Sequence, residues 1–266
     1  MEAFNFHKPK SVAEAVATRK SKPEGKFLAG GQSLLPVLKL DLAQPSDLVS
    51  LAGLKSALGG IKIEGDTLVI GALATHAEVA ASELVHKTIP ALALLANGIG
   101  DAQVRNRGTL GGSTAHADPA ADYPAALVAL DATIKTDRRE IKADDFFKAM
   151  FETALEDGEL ITEIRFKTPE KSGYSKFTNP ASKYALVGVF VAKYGGAARV
   201  AVTGASTVVF RLPEMEAALA KSFVAASLDG IEVAQDDLIN ERDAGPDYRA
   251  HLVSVMAKRA VTSATT

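Results

Sequence analysis

Two glycine-rich segments are the parts of this sequence best suited to bind a ligand through the backbone. They are Ala29-Gly30-Gly31-Gln32-Ser33 and Gly108-Thr109-Leu110-Gly111-Gly112-Ser113, and neither contains Lys or Arg. A loop of this kind can turn its N–H groups toward one concavity and bind an anion through dipoles. Glycine permits a close backbone approach or a positive φ. Two such loops facing each other would hold the two phosphates of a dinucleotide, although each alone also fits an ordinary glycine turn.

Other chemistries are disfavoured by what the 266 residues contain. Neither loop has the G-x-G-x-x-G spacing or the phosphate loop that ends in Gly-Lys-Ser/Thr. The chain has no cysteine, which excludes disulfides, a Cys nucleophile, thiolate zinc sites and a cysteine-ligated iron–sulfur cluster. The five histidines are scattered, without the close pairing that a His-based metal site favours. We therefore predict no metal site and no catalytic residue on this chain.

Composition indicates a globular protein without a membrane or nucleic-acid partner. Apolar residues make up 47% and charged residues 23%, and 30 basic against 32 acidic residues give a net charge of −2. That balance supplies no field to attract nucleic acid or an anionic membrane. The first ten residues lack the apolar core of a signal peptide, and no apolar run reaches the ~20 residues of a transmembrane segment. We expect a cytoplasmic protein.

Short elements would position the two loops. A Ser11-x-x-Glu14 capping box predicts a helix to about Arg19, and Lys26–Ala29 predicts a strand that leads into the first loop. Ser33 would cap a short helix over Leu34–Leu40. Ahead of the second loop, Ile89–Ile99 predicts an apolar helix, followed by a polar stretch at residues 101–107.

The rest of the chain predicts a hairpin, a helix and an antiparallel meander. Ile61–Gly71 has hairpin spacing, and Asp118-Pro119 opens a predicted helix to about Leu130. Shorter helices are predicted over residues 144–150, 213–220 and 223–227, and a longer one over residues 248–261. After a boundary near Pro169, the predicted strands of the meander are Ala185–Tyr194, Ala198–Gly204 and Ser206–Arg211.

Three motifs in order resemble one family. F-L-A-G-G-Q-S-L (Phe27–Leu34), Q-V-R-N-R-G-T-L-G-G-S (Gln103–Ser113) and A-D-P-A-A-D-Y-P-A (Ala117–Ala125) resemble the FAD-binding medium subunit of molybdenum hydroxylases. That family includes carbon monoxide and xanthine dehydrogenases and oxidoreductases of aldehydes and N-heterocycles. The branch with an inserted cysteine-bound [4Fe–4S] cluster is excluded, because the chain has no cysteine.

The resemblance implies an α+β fold, the FAD-binding fold of the vanillyl-alcohol-oxidase and murein-reductase (PCMH) type. Two α+β subdomains, residues 1–57 and 58–169, would hold FAD between them. Residues 170–266 would form a C-terminal domain with a three-stranded antiparallel sheet and helices, which agrees with the predicted meander.

The resemblance also implies the FAD-binding residues. One segment would wrap the pyrophosphate and adenosine side: Phe27, Leu28, Ala29, Gly30, Gly31, Gln32, Ser33 and Leu34. The second phosphate-binding turn would consist of Thr109, Leu110, Gly111, Gly112 and Ser113.

Single positions complete the implied site. Ile99 matches a hydrophobic contact, and Leu160 and Ile161 match aliphatic positions beside the adenine. Asp122 matches an aspartate that binds the ribose or adenine portion, although a carboxylate in the first turn of a helix is also favoured by the helix dipole. We expect Asp118 to be an N-cap.

The C-terminal domain would add two contacts. Lys176 matches a lysine that contacts FAD, with a solvated strand lysine as the alternative. Tyr184 falls where a tyrosine lies near the isoalloxazine and could cover one ring face, or it is an ordinary tyrosine of the sheet. His116 is either a FAD contact or simply exposed.

By resemblance, this chain relays electrons and does not oxidise the organic substrate. A large partner would hold the molybdopterin cofactor, and a small partner would pass electrons from two [2Fe–2S] clusters to this FAD and on to an external acceptor. We expect a dimer of heterotrimers, with Tyr184 and Asn179–Lys183 near the partner. The alternatives are a self-sufficient flavin reductase of the same superfold, similar to the reductase of enolpyruvyl-UDP-N-acetylglucosamine, and a non-catalytic scaffold that has lost FAD.

Overall fold

A three-stranded parallel sheet carries the first glycine loop. The structure is a computed structural model that describes residues 2–265. The strands β1 (Asn5–His7), β2 (Lys26–Leu28) and β3 (Asp47–Ser50) lie in the order β1-β3-β2, and β3 pairs in parallel with both neighbours. The helices α1 (Val12–Lys20) and α2 (Leu34–Lys39) alternate with these strands. The first loop therefore leaves the carboxyl end of β2, where ligands bind in parallel sheets.

The next part of the chain, residues 55–146, contains eight helices. They are α3 (Lys55–Leu58), α4 (His76–Ala81), α5 (Glu83–Thr88), α6 (Pro90–Asn97), α7 (Ala102–Arg107), α8 (Leu110–His116), α9 (Tyr123–Ala129) and α10 (Ala143–Phe146), with a 3-10 turn at Ala52–Leu54 before α3. All seven residues of α9 are buried, so this helix lies at the centre of the molecule.

The second sheet has five antiparallel strands. They are β4 (Ile61–Glu64), β5 (Thr67–Gly71), β6 (Thr133–Thr136), β7 (Glu140–Lys142) and β10 (Ile161–Lys167), in the order β4-β5-β10-β6-β7. A separate hairpin joins β8 (Phe147–Ala149) to β9 (Glu152–Thr153). The hairpin predicted over Ile61–Gly71 is confirmed.

The third sheet is C-terminal and antiparallel, in the order β11-β12-β13-β14. Its strands are β11 (Lys171–Thr178), β12 (Ala185–Tyr194), β13 (Ala197–Thr203) and β14 (Phe210–Arg211). Two helices follow, α11 (Pro213–Lys221) and α12 (Pro246–Thr265), with a 3-10 turn at Ala225–Leu228 between them.

The faces of this sheet belong to two different cores. Val187, Val189 and Val191 of β12 pack with α11 and α12, while Phe190 and Ala192 point to the other side and join the core that surrounds α9. A strand that is buried on both faces is apolar at nearly every position. One core therefore continues across Pro169 from the second sheet into the third.

Several predicted elements are wrong in place or length. Of the predicted strand Ser206–Arg211, only β14 forms. The third long strand of the sheet is β11, which was not predicted because it is only half buried and its sequence, Lys-Ser-Gly-Tyr-Ser-Lys, is mostly polar. The predicted polar stretch at residues 101–107 contains α7, which Asp101 caps through the N–H of Val104.

Predicted helices also begin or end elsewhere. The helix expected from Asp118 starts at Tyr123, because Asp118 accepts the N–H of Ala120 and closes a turn instead. The helix predicted around residues 144–150 stops at Phe146, and the one predicted over 223–227 is the 3-10 turn. Among residues 2–265, no helix combines the length and apolarity that crossing a bilayer requires.

Candidate cofactor-binding site

A long cleft of about 1010 Å³ runs along the first and second sheets and into the loop before β12. Its volume is at the upper end of the ~300–1,000 Å³ typical of small-molecule sites. All but two of the predicted site residues line it: Phe27, Leu28, Ala29, Gly30, Gly31, Gln32, Ser33, Leu34, Ile99, Thr109, Gly111, Gly112, Ser113, Asp122, Leu160, Ile161 and Tyr184. The exceptions are Leu110, which is fully buried in the core, and Lys176, which lies behind the wall.

The first glycine loop presents unused backbone donors to the cleft. Within residues 2–265, the N–H groups of Gly31, Gln32 and Ser33 donate to no protein acceptor. Gly31 has a φ of +75°, which a residue with a Cβ adopts only at a cost. Its carbonyl accepts the N–H of Leu35 and thereby starts α2. These N–H groups are therefore available to bind an anion through their dipoles.

The two loops are packed against each other. A Cβ added to Gly30 would lie 2.0 Å from the carbonyl oxygen of Arg107, so the first loop rests on the residues that lead into the second. A Cβ on Gly112 would lie 3.6 Å from the Cβ of Ala29. Gly30 is thus required for contact between the loops.

The second loop differs from its prediction, because most of its backbone donors are already used, although the N–H of Thr109 donates to no described residue. Leu110 donates its N–H to Ala74, Gly111 donates to Ala72, and Gly112 donates to the Thr109 hydroxyl that caps α8. The expectation that both loops offer free N–H groups is wrong for these residues. What faces the cleft here is the Ser113 hydroxyl, which bonds to no described residue.

A neutral histidine lies beside the second loop. His76 lines the cleft and is 5% exposed, and burial, helped by the charge of Arg105, lowers its pKa to about 4. Its ring lies 5.4 Å from the ring of Tyr123, whose pKa burial raises. His76 Nδ1 and the Tyr123 hydroxyl are both buried without a hydrogen-bond partner among the described residues.

Asp122 and Tyr184 share one end of the cleft. The Asp122 carboxylate is 5% exposed and pairs with Lys176 Nζ at 2.9 Å. Burial raises the pKa of Asp122, against the effect of Lys176 and of the hydroxyl of Tyr174. Tyr184 is 42% exposed, and burial followed by the charges of Asp118 and Asp122 raises its pKa.

The other end lies against the first sheet. Leu160 packs there with Phe27 and Ala29. Arg19, whose side chain is 6% exposed, reaches across from α1 to bond Asp157. Glu159 is buried nearby, yet hydrogen bonds from Arg139, the Glu156 N–H and Thr136 lower its pKa to about 2.

The structure adds residues that the sequence did not reveal. Phe151 forms the tip of the β8–β9 hairpin at a φ of +59° and packs on His116 with ring centroids 5.1 Å apart. Both line the cleft, as do Arg19 and His76. Phe151, Arg19 and His76 belong to no recognisable motif. His116 was expected from sequence to be either a FAD contact or exposed, and it is half-buried in the wall of the cleft. Among the described residues, no group of three or more His, Asp or Glu is placed to hold a metal ion.

Comparisons with known proteins place this cleft in a family. Residues 2–169 match the model of the FAD binding domain in molybdopterin dehydrogenase. The chain belongs to the FAD-binding medium subunits of the molybdenum hydroxylases. It is 36% identical to the carbon monoxide dehydrogenase medium chain of Hydrogenophaga pseudoflava, over 98% of this chain and 96% of that one.

Further relatives show the same family along the whole length. The chain is 32% identical to the nicotine 6-hydroxylase medium subunit of Paenarthrobacter nicotinovorans, over 99% of this chain and 98% of that subunit. The solved quinoline 2-oxidoreductase of Pseudomonas putida 86 superposes with a TM-score of 0.89 at 30% identity, over 99% of this chain and 97% of that chain. The predicted family and fold class are confirmed, and the chain is a subunit of oxidoreductase type.

The residues present fit FAD. The first loop offers free N–H groups for a pyrophosphate, and Ser113 adds a free hydroxyl opposite it. The unpartnered Nδ1 of buried His76 marks a further polar position at the wall. Since a buried polar atom without a partner is costly, these groups suit a large polar cofactor.

Proposed function

We propose that this chain holds FAD in the cleft. Electrons from [2Fe–2S] clusters on a small partner subunit would pass to this FAD. The proposal rests on one observation: the same cleft is lined by the first loop, which has free backbone donors, and by Tyr184. The molybdopterin cofactor and the oxidised substrate belong to a large partner in this proposal. FAD held here would supply electron transfer to an external acceptor such as NAD, a quinone, a cytochrome or dioxygen.

We place the pyrophosphate at Gly31, Gln32 and Ser33, whose N–H groups are free. Leu160 and Ile161 flank the adenine end. Asp122 lies close enough to Tyr184 for its charge to raise the pKa of that tyrosine, so we assign Asp122 to the part of the cleft that Tyr184 lines, in place of the ribose or adenine portion first expected.

The chain's own residues bind and orient the flavin, which accepts electrons singly or in pairs when bound. Tyr184 can cover one ring face. His76 is neutral at physiological pH and can accept or donate one hydrogen bond without adding charge. No nucleophile with an adjacent base lines the cleft among the described residues, so the substrate is oxidised elsewhere in the complex.

The assembly we propose is a dimer of heterotrimers in the cytoplasm. Residues 1–57, 58–169 and 170–266 would be its three structural units on this chain. The surface next to the partner would include Tyr184 and Asn179–Lys183, since residues 180–184 are exposed beside the cleft.

The test uses the purified full chain, alone and reconstituted with its partner subunits. Acid release followed by chromatography should yield FAD, and FMN as the sole flavin would contradict the proposal. The chain alone should be bleached by dithionite but not by carbon monoxide, an aldehyde, a purine or an N-heterocycle. Bleaching by one of these substrates without partners would favour a self-sufficient enzyme, and absence of any flavin would favour a scaffold.

A further inference from the structure

A buried arginine joins the first helix to the loop that precedes β10. Arg19 lies in the last turn of α1, and its side chain is 6% exposed. Its Nη1 donates to the carbonyl of Lys22 at 3.0 Å and lies 3.4 Å from Asp157 Oδ2, while its Nη2 donates to Asp157 Oδ1. Two contacts to one carboxylate fix the relative orientation of the two side chains. Arg19 therefore holds together two segments that are 138 positions apart in the sequence.

The bond connects the two parts of the chain that enclose one end of the cleft. α1 packs on the first sheet, where Ala15 joins a small apolar core with Phe27 of β2. Asp157 lies between β9 and the second sheet's strand β10. Leu160, a little further along the chain, belongs to the same small core. Arg19 and Asp157 both line the cleft, so their bond joins its two walls at the end where Phe27 and Leu160 meet.

The turn that carries Asp157 is fixed to the second sheet. The N–H of Glu156 donates to Glu159 Oε2 at 2.7 Å, and the N–H of Glu159 donates to the carbonyl of Glu156 at 3.0 Å. The Glu159 side chain is fully buried and accepts the hydroxyl of Thr136 on β6. Since the turn cannot move independently of the sheet, the bond from Arg19 to Asp157 sets the distance between that sheet and α1.

The role of this ion pair is geometric more than energetic. Removing a guanidinium from water is costly, and the attraction that offsets the cost is weakened here because the Asp157 side chain is 70% exposed. An apolar side chain at position 19 would extend the small core at lower cost. What an apolar side chain would not supply is a directed bond between α1 and the second sheet.

We propose that Arg19 is a positioning residue: through Asp157 it sets the separation of the two cleft walls that hold the adenosine half of FAD. The inference rests on the proposed function, which places the adenine beside Leu160 and Ile161. Apolar walls hold a planar base well only at a closely matched separation, because dispersion attraction falls steeply once a gap opens. The bond from Arg19 to Asp157 therefore favours the binding of a ligand that carries adenosine.

Substitution of Arg19 tests the effect on FAD. Arg19→Met should weaken FAD binding by about 3- to 30-fold, a usual size for the coupling between contacting groups. The visible circular dichroism of the bound flavin should stay unchanged at saturation, because the ring lies in the part of the cleft that Tyr184 lines. The matched control Lys20→Met removes the same charge from the next, exposed position of α1 and should bind FAD normally. Normal affinity in Arg19→Met, or altered dichroism, would overturn the proposal.

Spin labels test the separation itself. The chain has no cysteine, so labels can be attached through Ala13→Cys on α1 and Glu140→Cys on β7, both exposed positions. In the flavin-free chain, pulsed electron–electron double resonance should give a broader distribution of distances with Arg19→Met than without it, while Lys20→Met leaves the distribution unchanged. A residue that only stabilises the fold would lower the free energy of unfolding without changing this distance. An identical distribution in the Arg19→Met chain would therefore refute the proposal.

A double-mutant cycle shows whether Arg19 acts through Asp157. Asp157→Ala removes an exposed side chain and should weaken FAD binding about as much as Arg19→Met does. Because both substitutions break one bond, their combined loss of affinity should be less than multiplicative. Multiplicative losses, or normal affinity in Asp157→Ala, would contradict the proposal, and the affinity of Asp157→Ala decides even if Arg19→Met does not fold. Wild-type chain that binds no FAD would overturn the proposed function itself, a result distinct from normal wild-type binding with unaffected variants.

Discussion

At the scale of single residues, Gly31 links backbone conformation to cofactor binding. Its φ of +75° is unfavourable for alanine, so we expect Gly31→Ala to lower the free energy of unfolding by about 1–2 kcal/mol. A shift of the loop should also move its free N–H groups and weaken FAD binding by about tenfold. Urea unfolding and a flavin titration measure the two effects.

Gly230→Ala is the matched control for that change. Gly230 has a φ of +76° and open space around its Cα, so alanine there meets the same backbone cost far from the cleft. It should lower the free energy of unfolding by no more than Gly31→Ala does, because a Cβ at Gly31 would in addition lie 2.9 Å from Leu35 Cδ1, and FAD should bind normally. Equal FAD affinity in both variants would show that the conformation of Gly31 is not needed for binding.

His76 should make stability depend on pH. Its folded pKa of about 4 lies below the ordinary value of 6.5, so the unfolded chain binds the proton more readily. The free energy of unfolding should therefore be highest above pH 6.5 and fall as the pH is lowered toward 4. At about 1.4 kcal/mol per pKa unit, the loss approaches ~3 kcal/mol.

Urea unfolding between pH 4 and 7 checks this dependence. His76→Phe should flatten the curve in that window, whereas the same substitution at exposed His251 should retain the slope. Glu64 and Glu159 have pKa values of about 2 in the folded chain against 4.5 ordinarily, so the stability that they contribute is lost only as the pH falls from about 4.5 toward 2. An unchanged slope in His76→Phe would place the titrating group elsewhere.

The candidate site could be predicted from sequence only where it lies in a motif. The loop at Phe27–Leu34 and the aspartate of A-D-P-A-A-D are local signals, and both line the cleft. The partners that occupy the second loop's N–H groups, Ala72 and Ala74, lie more than 30 residues earlier in the chain. That occupancy depends on how the second sheet meets α8, which no local pattern contains.

At the scale of elements, α9 lies in the core that the second and third sheets share. It packs against β12 and β13, and all its residues are buried. Leu127 is 0% exposed, so Leu127→Ala should leave a cavity and lower the free energy of unfolding by about 2–5 kcal/mol. Urea unfolding monitored by circular dichroism measures the change.

Leu94→Ala supplies the comparison for α9. Leu94 lies on α6 and is 56% exposed, so the same atoms are removed with little loss of packing. Its effect should remain within about 1 kcal/mol. A Leu127→Ala variant as stable as Leu94→Ala would mean that α9 is not a required part of the core.

Elements with strong apolar periodicity could be predicted, and elements held by tertiary contacts could not. β12 and β13 are continuous apolar runs and lie close to their predicted places. β11 includes the polar residues Lys176 and Tyr174, which bond to Asp122. Its sequence therefore lacks the apolar pattern that predicts a strand. Residues 118–122 form a turn and not a helix, because Thr203 and the Gly204 N–H hold the carbonyl of Pro119.

At the scale of the whole molecule, the exposed loop beside the cleft should be covered on assembly. Residues 180–184 are exposed, and the loop's amides are ordered by bonds to Asn179. Adding the partner subunits should slow hydrogen exchange at residues 181–184 by roughly tenfold or more. The exposed turn at Gly195-Gly196 provides the internal reference and should exchange at its original rate. Slowing at the turn but not at residues 181–184 would place the partner at the turn and not beside the cleft.

The core that passes from the second sheet through α9 into the third sheet limits where this chain can be cut or recombined. Phe190, Ala192 and Ala201 from the C-terminal sheet close the core around α9. A fragment ending at residue 169 would expose that apolar face of α9 to water and remove the counter-ion of Asp122. Exchanging C-terminal halves between two such subunits therefore requires transferring the turn at residues 118–122 and α9 together with the sheet that covers them.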